Sequence, residues 1–143
     1  MSDKWDRRFL ALAQHVAAWS KDPSTKTGAA ITDGRRIVSL GYNGFPQGVK
    51  DDPARYANRE EKYRYIVHCE RNALIFAERS LHGCTLYTWP FMSCAACAGM
   101  VIQAGIIRVV APVMSADIAS RWSDECAAAM IMYKEADVEV VLL

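Results

Sequence analysis

Apolar residues recur over the first twenty positions at Trp5, Phe9, Leu12, Ala13, Val16 and Trp19, with polar and charged residues between them. That spacing lays one apolar stripe along a helix, so an amphipathic helix is predicted over residues 3–19, stopped by Asp22-Pro23-Ser24. The pattern then changes. Residues 28–32 and 36–40 are short, β-prone runs on either side of Asp33-Gly34, a hairpin signal. Residues 41–46 read as a turn-rich loop, and 51–65 as a polar, partly helical stretch. A helix is predicted over 69–79, with His68 at or just before its start, and a short strand over 84–88. Small apolar residues over 94–104 predict another helix, with Gly105 as its C-terminal cap. A buried strand over 106–110, a helix over 123–134 and a last strand over 138–142 complete the chain. Helix, hairpin, helix, then β-α-β-α-β implies an α/β fold. We expect a three-layer α/β/α sandwich around a mixed sheet of five strands.

No linker or repeat divides the 143 residues, so a single domain over 1–143 is expected. Apolar residues make up 52% and charged residues 23%, a globular balance that argues against disorder. A formal net charge of +1 offers no broad basic field for duplex nucleic acid or an anionic membrane. The charged start at residues 1–8 does not read as a signal peptide, and no run of about 18 apolar residues exists. Five cysteines without a secretory signal fit a reducing, cytoplasmic setting, where cysteines serve as core residues or metal ligands.

Candidate chemistry lies in His68-Cys69-Glu70 and Cys94-Ala95-Ala96-Cys97, both at predicted helix starts. Two cysteines two residues apart can aim both sulfurs at one zinc ion. A single histidine then gives three protein ligands and leaves a fourth position for water, as in catalytic sites. Helix N-termini favour the thiolate forms of Cys94 and Cys97. Glu70, two residues from His68, can stand beside that water without being a ligand and move its proton. Zinc would lower the water's pKa from about 15.7 towards about 7. A His-x-Glu pair with a later Cys-x-x-Cys is the zinc deaminase pattern.

Plainer readings stand beside this one. A lone Cys-x-x-Cys is often a structural zinc site or a redox pair, and His82 or His15 could close such a site. His82 sits in a polar turn and His15 within the first helix, so both read as surface residues. Cys69, Cys84 and Cys126 fit small buried hydrophobes. Trp5 and Trp19 read as core or subunit-contact residues. Glu70 alone would be an ordinary helix-start charge; its offset from His68 is what singles it out.

At these residues the chain resembles the deoxycytidylate deaminases of the cytidine deaminase superfamily. The likeness runs through residues 20–29, 36–48, Asp51-Asp52, Lys62-Tyr63, His68–Ala73 and 102–106. The Gly41-Tyr42-Asn43-Gly44-Phe45-Pro46 segment is its most specific part. The resemblance implies zinc on His68, Cys94 and Cys97, with Glu70 as acid and base. It implies hydrolytic deamination of dCMP to dUMP and ammonia. It places Asn43 on the substrate sugar. Ser24, Thr25 and Lys26 lie in a loop that offers hydroxyls and a cation to phosphate. The resemblance also implies a homo-oligomer, typically a hexamer, activated by dCTP and inhibited by dTTP. Lys26, Gly41, Tyr42, Gly44, Phe45, Pro46 and Gly48 would line that effector site, with Mg2+ accompanying the triphosphate.

The chain departs from the family pattern in two places. Ser93 stands where a proline usually precedes the first cysteine, and Cys69 replaces an alanine. Trp89 and Phe91 on the altered loop are candidates to stack on the pyrimidine, Trp89 the better placed. Arg71, Arg79 and Arg121 are further candidates for phosphate or effector contacts, with solvated helix charges as the default. Partners are therefore small-molecule nucleotides, with no nucleic acid and no membrane. The alternatives are a deaminase acting on a nucleoside triphosphate or on a base within a polynucleotide, and a non-catalytic zinc module, which would have no need of Glu70.

Overall fold

The apolar stripe of the first segment forms α1 (Asp3–Ala17), and its buried side chains include Phe9, Leu10, Ala13 and Val16. A computed structural model describes residues 3–143; Met1 and Ser2, part of the charged start, lie outside the described residues. The hairpin follows as β1 (Gly28–Asp33) and β2 (Arg36–Tyr42), joined at Gly34, whose φ of 60° lies in the left-handed region that glycine adopts freely. Next come α2 (Pro53–Ala57), α3 (Arg59–Tyr65), α4 (Cys69–Phe76), β3 (Thr85–Trp89), α5 (Ala95–Gln103), β4 (Arg108–Ala111), α6 (Ala116–Glu135) and β5 (Glu139–Leu142).

The five strands form one sheet in the order β2-β1-β3-β4-β5. β1 pairs antiparallel with β2 and β3, while β3-β4 and β4-β5 are parallel. This is the expected mixed sheet, and strand alternation divides its two faces. Ala29, Ile31, Leu86, Val109 and Ala111 point into a core shared with α4, α5 and α6. Ala30, Tyr87 and Val110 point the other way, onto Phe9, Leu10 and Ala13 of α1. The result is three layers: α1, the sheet, and the helices that carry the candidate chemistry.

Two glycines let helices lie directly on strands. A Cβ on Gly28 would come within 2.1 Å of the Ala13 carbonyl of α1, and one on Gly41 within 2.4 Å of the Cys69 carbonyl of α4. Gly41 is thus a packing residue beneath α4.

Several boundaries differ from the sequence reading. α1 stops two residues early, and Trp19 turns outward, 52% exposed, edge-on to Tyr42 at 6.1 Å. α4 ends at Phe76 instead of residue 79, and Glu78 shortly after it adopts a positive φ of 52° that no helix continues through. The polar 51–65 stretch is two helices. Asn58 ends the first and caps the second, its side-chain oxygen accepting from the Glu61 N–H at 3.1 Å. α6 begins seven residues before its predicted start, where the Ser115 hydroxyl accepts from the Ile118 N–H at 3.3 Å. Among the described residues no helix is long and apolar enough to cross a membrane.

One buried ion pair ties α1 to the far half of the sheet. Both carboxylate oxygens of Asp6 accept from Arg108 on β4 at 2.7 Å, and Asp6 also accepts from the Tyr87 hydroxyl at 2.9 Å. Burial alone would raise the Asp6 pKa, but the hydrogen bonds from Arg108 and Tyr87 outweigh it and hold the carboxyl below its ordinary value. Asp6→Ala should therefore cost about 3–5 kcal/mol, read as a shift in urea unfolding at neutral pH. Because the folded pKa lies below the unfolded one, the stabilisation is complete above the unfolded value and fades as pH falls through the folded value. Asp6→Asn should accordingly flatten the stability-against-pH curve below about pH 4, near the unperturbed aspartate pKa.

Candidate active site

Two helices begin at the same place. His68 is the N-cap residue of α4, with extended backbone and no side-chain capping bond, so its ring is free to point elsewhere. Cys94 is the N-cap residue of α5 and uses its sulfur as the cap, accepting from the Cys97 N–H at 3.5 Å. The His68 Nδ1 lies 3.2 Å from the Cys97 Sγ and 3.5 Å from the Cys94 Sγ. All three ligand atoms lie within 4.8 Å of one another. Tetrahedral zinc with bonds of about 2.1 Å to nitrogen and about 2.3 Å to sulfur has N···S edges of about 3.6 Å. The donor set and its spacing therefore fit a zinc ion with one position left open. Among the described residues no other such cluster of His, Cys, Asp and Glu occurs. His15 and His82 are exposed and take no part in it.

Without a metal the two sulfurs share a single proton, and their electrostatics diverge accordingly. A hydrogen bond from the Cys97 thiol, reinforced by His68, lowers the Cys94 pKa to about 3, against the opposing effect of burial. Cys97, which donates that bond and is buried, is correspondingly raised. The His68 pKa is raised, chiefly by its hydrogen bond to Cys94. Glu70, in the first turn of α4 and 6% exposed, has its pKa raised by burial. Such a carboxyl takes up and releases a proton closer to neutral pH than an exposed glutamate does.

These groups sit in a cleft of about 520 Å³, within the range of small-molecule sites. His68, Glu70 and Cys94 line one part of it, and Ser24, Thr25 and Asn43 another. Phe91 and Trp122 form an aromatic wall, their rings 5.7 Å apart and 20° from parallel. Trp89 is not part of the cleft lining. It ends β3 just before a cis Trp89–Pro90 peptide and packs on the α1 core with Phe9 and Tyr87. The expectation of a stacking role there is corrected: the strand's alternation sends Trp89 to the opposite face, and Phe91, past the turn, reaches the cleft. Ser93, in the place of the usual proline, is fully buried and accepts from the Tyr133 hydroxyl of α6 at 3.1 Å.

The 22–27 loop is organised by a residue the sequence reading passed over. Asp22, 2% exposed, accepts from the backbone N–H groups of Ser24 at 2.8 Å and Thr25 at 3.3 Å. Its charge is met by Lys62 of α3 at 2.8 Å, a pair with little solvent access. Asn43 locks the same loop. Its amide nitrogen donates to Asp22 and to the Thr25 carbonyl, and its oxygen accepts from the Thr27 N–H at 2.9 Å. No local signal gives this pairing away, because Asp22 and Lys62 are forty positions apart.

The effector candidates scatter. Lys26 donates to the Ser20 carbonyl and does not line the cleft. Phe45 is stacked on Tyr56 at 4.1 Å, and Gly44 bridges to Val67, so both hold the turn in place. Tyr42, Pro46 and Gly48 are exposed. Arg79 pairs with Asp33 on the surface, the Arg71 Nε is buried without a partner, and Arg121 lines the cleft.

Residues 3–113 match the family model described as the cytidine and deoxycytidylate deaminase zinc-binding region. An uncharacterized deaminase from the luxG 3' region of Aliivibrio fischeri is 45% identical over 143 residues, spanning 100% of this chain and 96% of that protein. Human deoxycytidylate deaminase is 37% identical over 142 residues, spanning 94% of this chain and 77% of that protein. The dCMP deaminase of cyanophage S-TIM5, in a crystal structure with dCMP and dUMP, aligns with a TM-score of 0.76 at 20% identity, covering 100% of this chain and 99% of that one. That structure shares the fold.

The donor set makes a direct prediction. Purified protein should carry about one zinc per chain. His68→Ala and Cys97→Ala should each lose most of it, and Cys84→Ser should keep it, all read by elemental analysis.

Proposed function

Because the chain belongs to the family of cytidine and deoxycytidylate deaminases, we propose that it hydrolyses dCMP to dUMP and ammonia. The observation that carries this reading is the buried Glu70 carboxyl beside the His68–Cys94–Cys97 donor set, with Glu70, His68 and Cys94 lining one cleft and Cys97 buried behind them. His68, Cys94 and Cys97 would hold a zinc ion, which when bound supplies the Lewis acidity that makes water nucleophilic at neutral pH. Glu70 accepts the proton that water gives up. It passes that proton to the ring nitrogen next to the amine-bearing carbon, then takes the remaining proton from the hydroxyl newly added to that carbon and delivers it to the departing amine, leaving a carbonyl. Water is consumed and ammonia leaves, so atoms and charge balance without a redox partner. Phe91 and Trp122 offer the pyrimidine a flat apolar wall, where stacking is worth roughly 1–3 kcal/mol. Asn43, its amide already engaged on three sides, holds the Ser24–Thr25 loop at the cleft with one remaining oxygen lone pair for a sugar hydroxyl.

Two finer points rest on the family resemblance. Regulation by dCTP and dTTP is assigned to the exposed part of the turn at Tyr42, Pro46 and Gly48, with Mg2+ accompanying the triphosphate. Assembly into a hexamer in the cytoplasm is the corresponding expectation for the whole enzyme.

An ammonia-release assay on deoxycytidine, dCMP and dCTP, with and without triphosphate effectors, tests the reading. Turnover should be fastest on dCMP, and no turnover of dCMP under any of these conditions rejects it. Glu70→Gln should keep its zinc and lose kcat by about 10²–10⁴-fold, the range of a positioned proton shuttle.

A further inference from the structure

The nucleotide reading leaves open which cation meets the phosphate, since Lys26 is turned onto the Ser20 carbonyl. Three basic side chains line the cleft besides His68: Arg59, Lys62 and Arg121. Lys62 is neutralised by Asp22 at 2.8 Å. Arg121 is paired with Asp117 at 3.4 Å and shares its stretch of wall with Glu125, whose carboxylate also caps the α5 N-terminus at the Ala95 N–H. Arg59 alone, among the described residues, lines the cleft with no carboxylate in ion-pair reach; its guanidinium lies over the Tyr63 ring at 5.3 Å. That ring fixes where the charge sits while leaving its five N–H donors free.

Arg59 is an exposed side chain at the cleft edge, and its surroundings suit an anion. Arg59 and Tyr63 lie one turn apart on α3, and Lys62 of the same helix clamps Asp22 of the 22–27 loop. The clamp brings the Ser24 and Thr25 hydroxyls, which have no partner within the described chain, to the same cleft as the guanidinium. We infer that Arg59 is the phosphate anchor of this enzyme, with the Ser24 and Thr25 hydroxyls completing the cradle, and that it selects a nucleoside monophosphate over the nucleoside. This rests on the nucleotide reading above. It adds a residue on α3 to a phosphate site that the sequence pointed to only in the 22–27 loop.

The test compares the zinc-loaded wild-type protein with Arg59→Gln, Arg59→Lys and Arg121→Gln, measuring binding of dUMP and deoxyuridine by calorimetry. Loss of a charge-assisted hydrogen-bonded anchor should weaken dUMP by roughly 10–100-fold and change deoxyuridine by less than about 3-fold. Arg59→Lys should recover part of the dUMP affinity, which also shows that the site still folds. The inference is overturned if wild type binds dUMP no more tightly than deoxyuridine, if Arg59→Gln weakens both ligands equally or neither, or if Arg121→Gln carries the loss instead. Parallel ammonia release from dCMP separates the two readings. Wild type that binds dUMP through Arg59 but leaves dCMP unconverted refutes the proposed reaction and upholds the anchor.

Discussion

Everything chemical in this protein depends on two helix starts meeting. α4 begins at His68 and α5 at Cys94, and the sheet holds them so that one imidazole nitrogen faces two sulfurs at 3.2 and 3.5 Å. Metal geometry tolerates errors of only a few tenths of an ångström, so the helices must be seated rigidly. α4 is seated by the absence of a side chain at Gly41, where even a methyl group would meet the helix backbone at 2.4 Å. α5 is seated through the wholly buried Cys97, Ala98 and Val101. A helix start also contributes partial positive charge, which suits thiolates and the carboxylate of Glu70 alike.

A second constraint shapes the cleft's other half. Asp22 is a buried carboxylate that satisfies backbone N–H groups in its own loop and an ammonium on α3. Removing either member of such a pair leaves an uncompensated charge out of water, and the loop and α3 lose their common reference. The cleft is therefore framed by two kinds of join. One side carries the His68, Cys94 and Cys97 donor set, and the other is closed by an ion pair.

Much of this was legible in the chain itself. The helical stripe of α1, the Asp33-Gly34 hairpin and the alternation of later strands and helices are local signals, and each produces the element it predicts. The His68, Cys94 and Cys97 cluster, with Glu70 beside it, was readable because these residues keep short fixed offsets within two segments. What escaped was non-local. The burial of Lys62 depends on a partner forty positions away, and the entry of Trp122 into the cleft depends on α6 starting at Ala116 and not near residue 123. Trp89 was misplaced for a related reason, because its face is set by the register of β3 against β1, which pairs it with Gly28. Gly41 and Phe45, read as ligand-facing, do internal structural work that appears only once α4 and Tyr56 are set against them.

The hydrogen bond from the Tyr133 hydroxyl to Ser93 reaches beyond its own energy. A proline at position 93 would stiffen the approach to Cys94 by itself, through its ring and with no outside help. With serine there, part of that stiffness is borrowed from the last helix, whose Tyr133 is wholly buried. Cys94 and the C-terminal third of the chain thereby become mechanically coupled. Fraying or repacking of α6 would be felt at the His68, Cys94 and Cys97 cluster, and ordering of that cluster would in turn firm up α6.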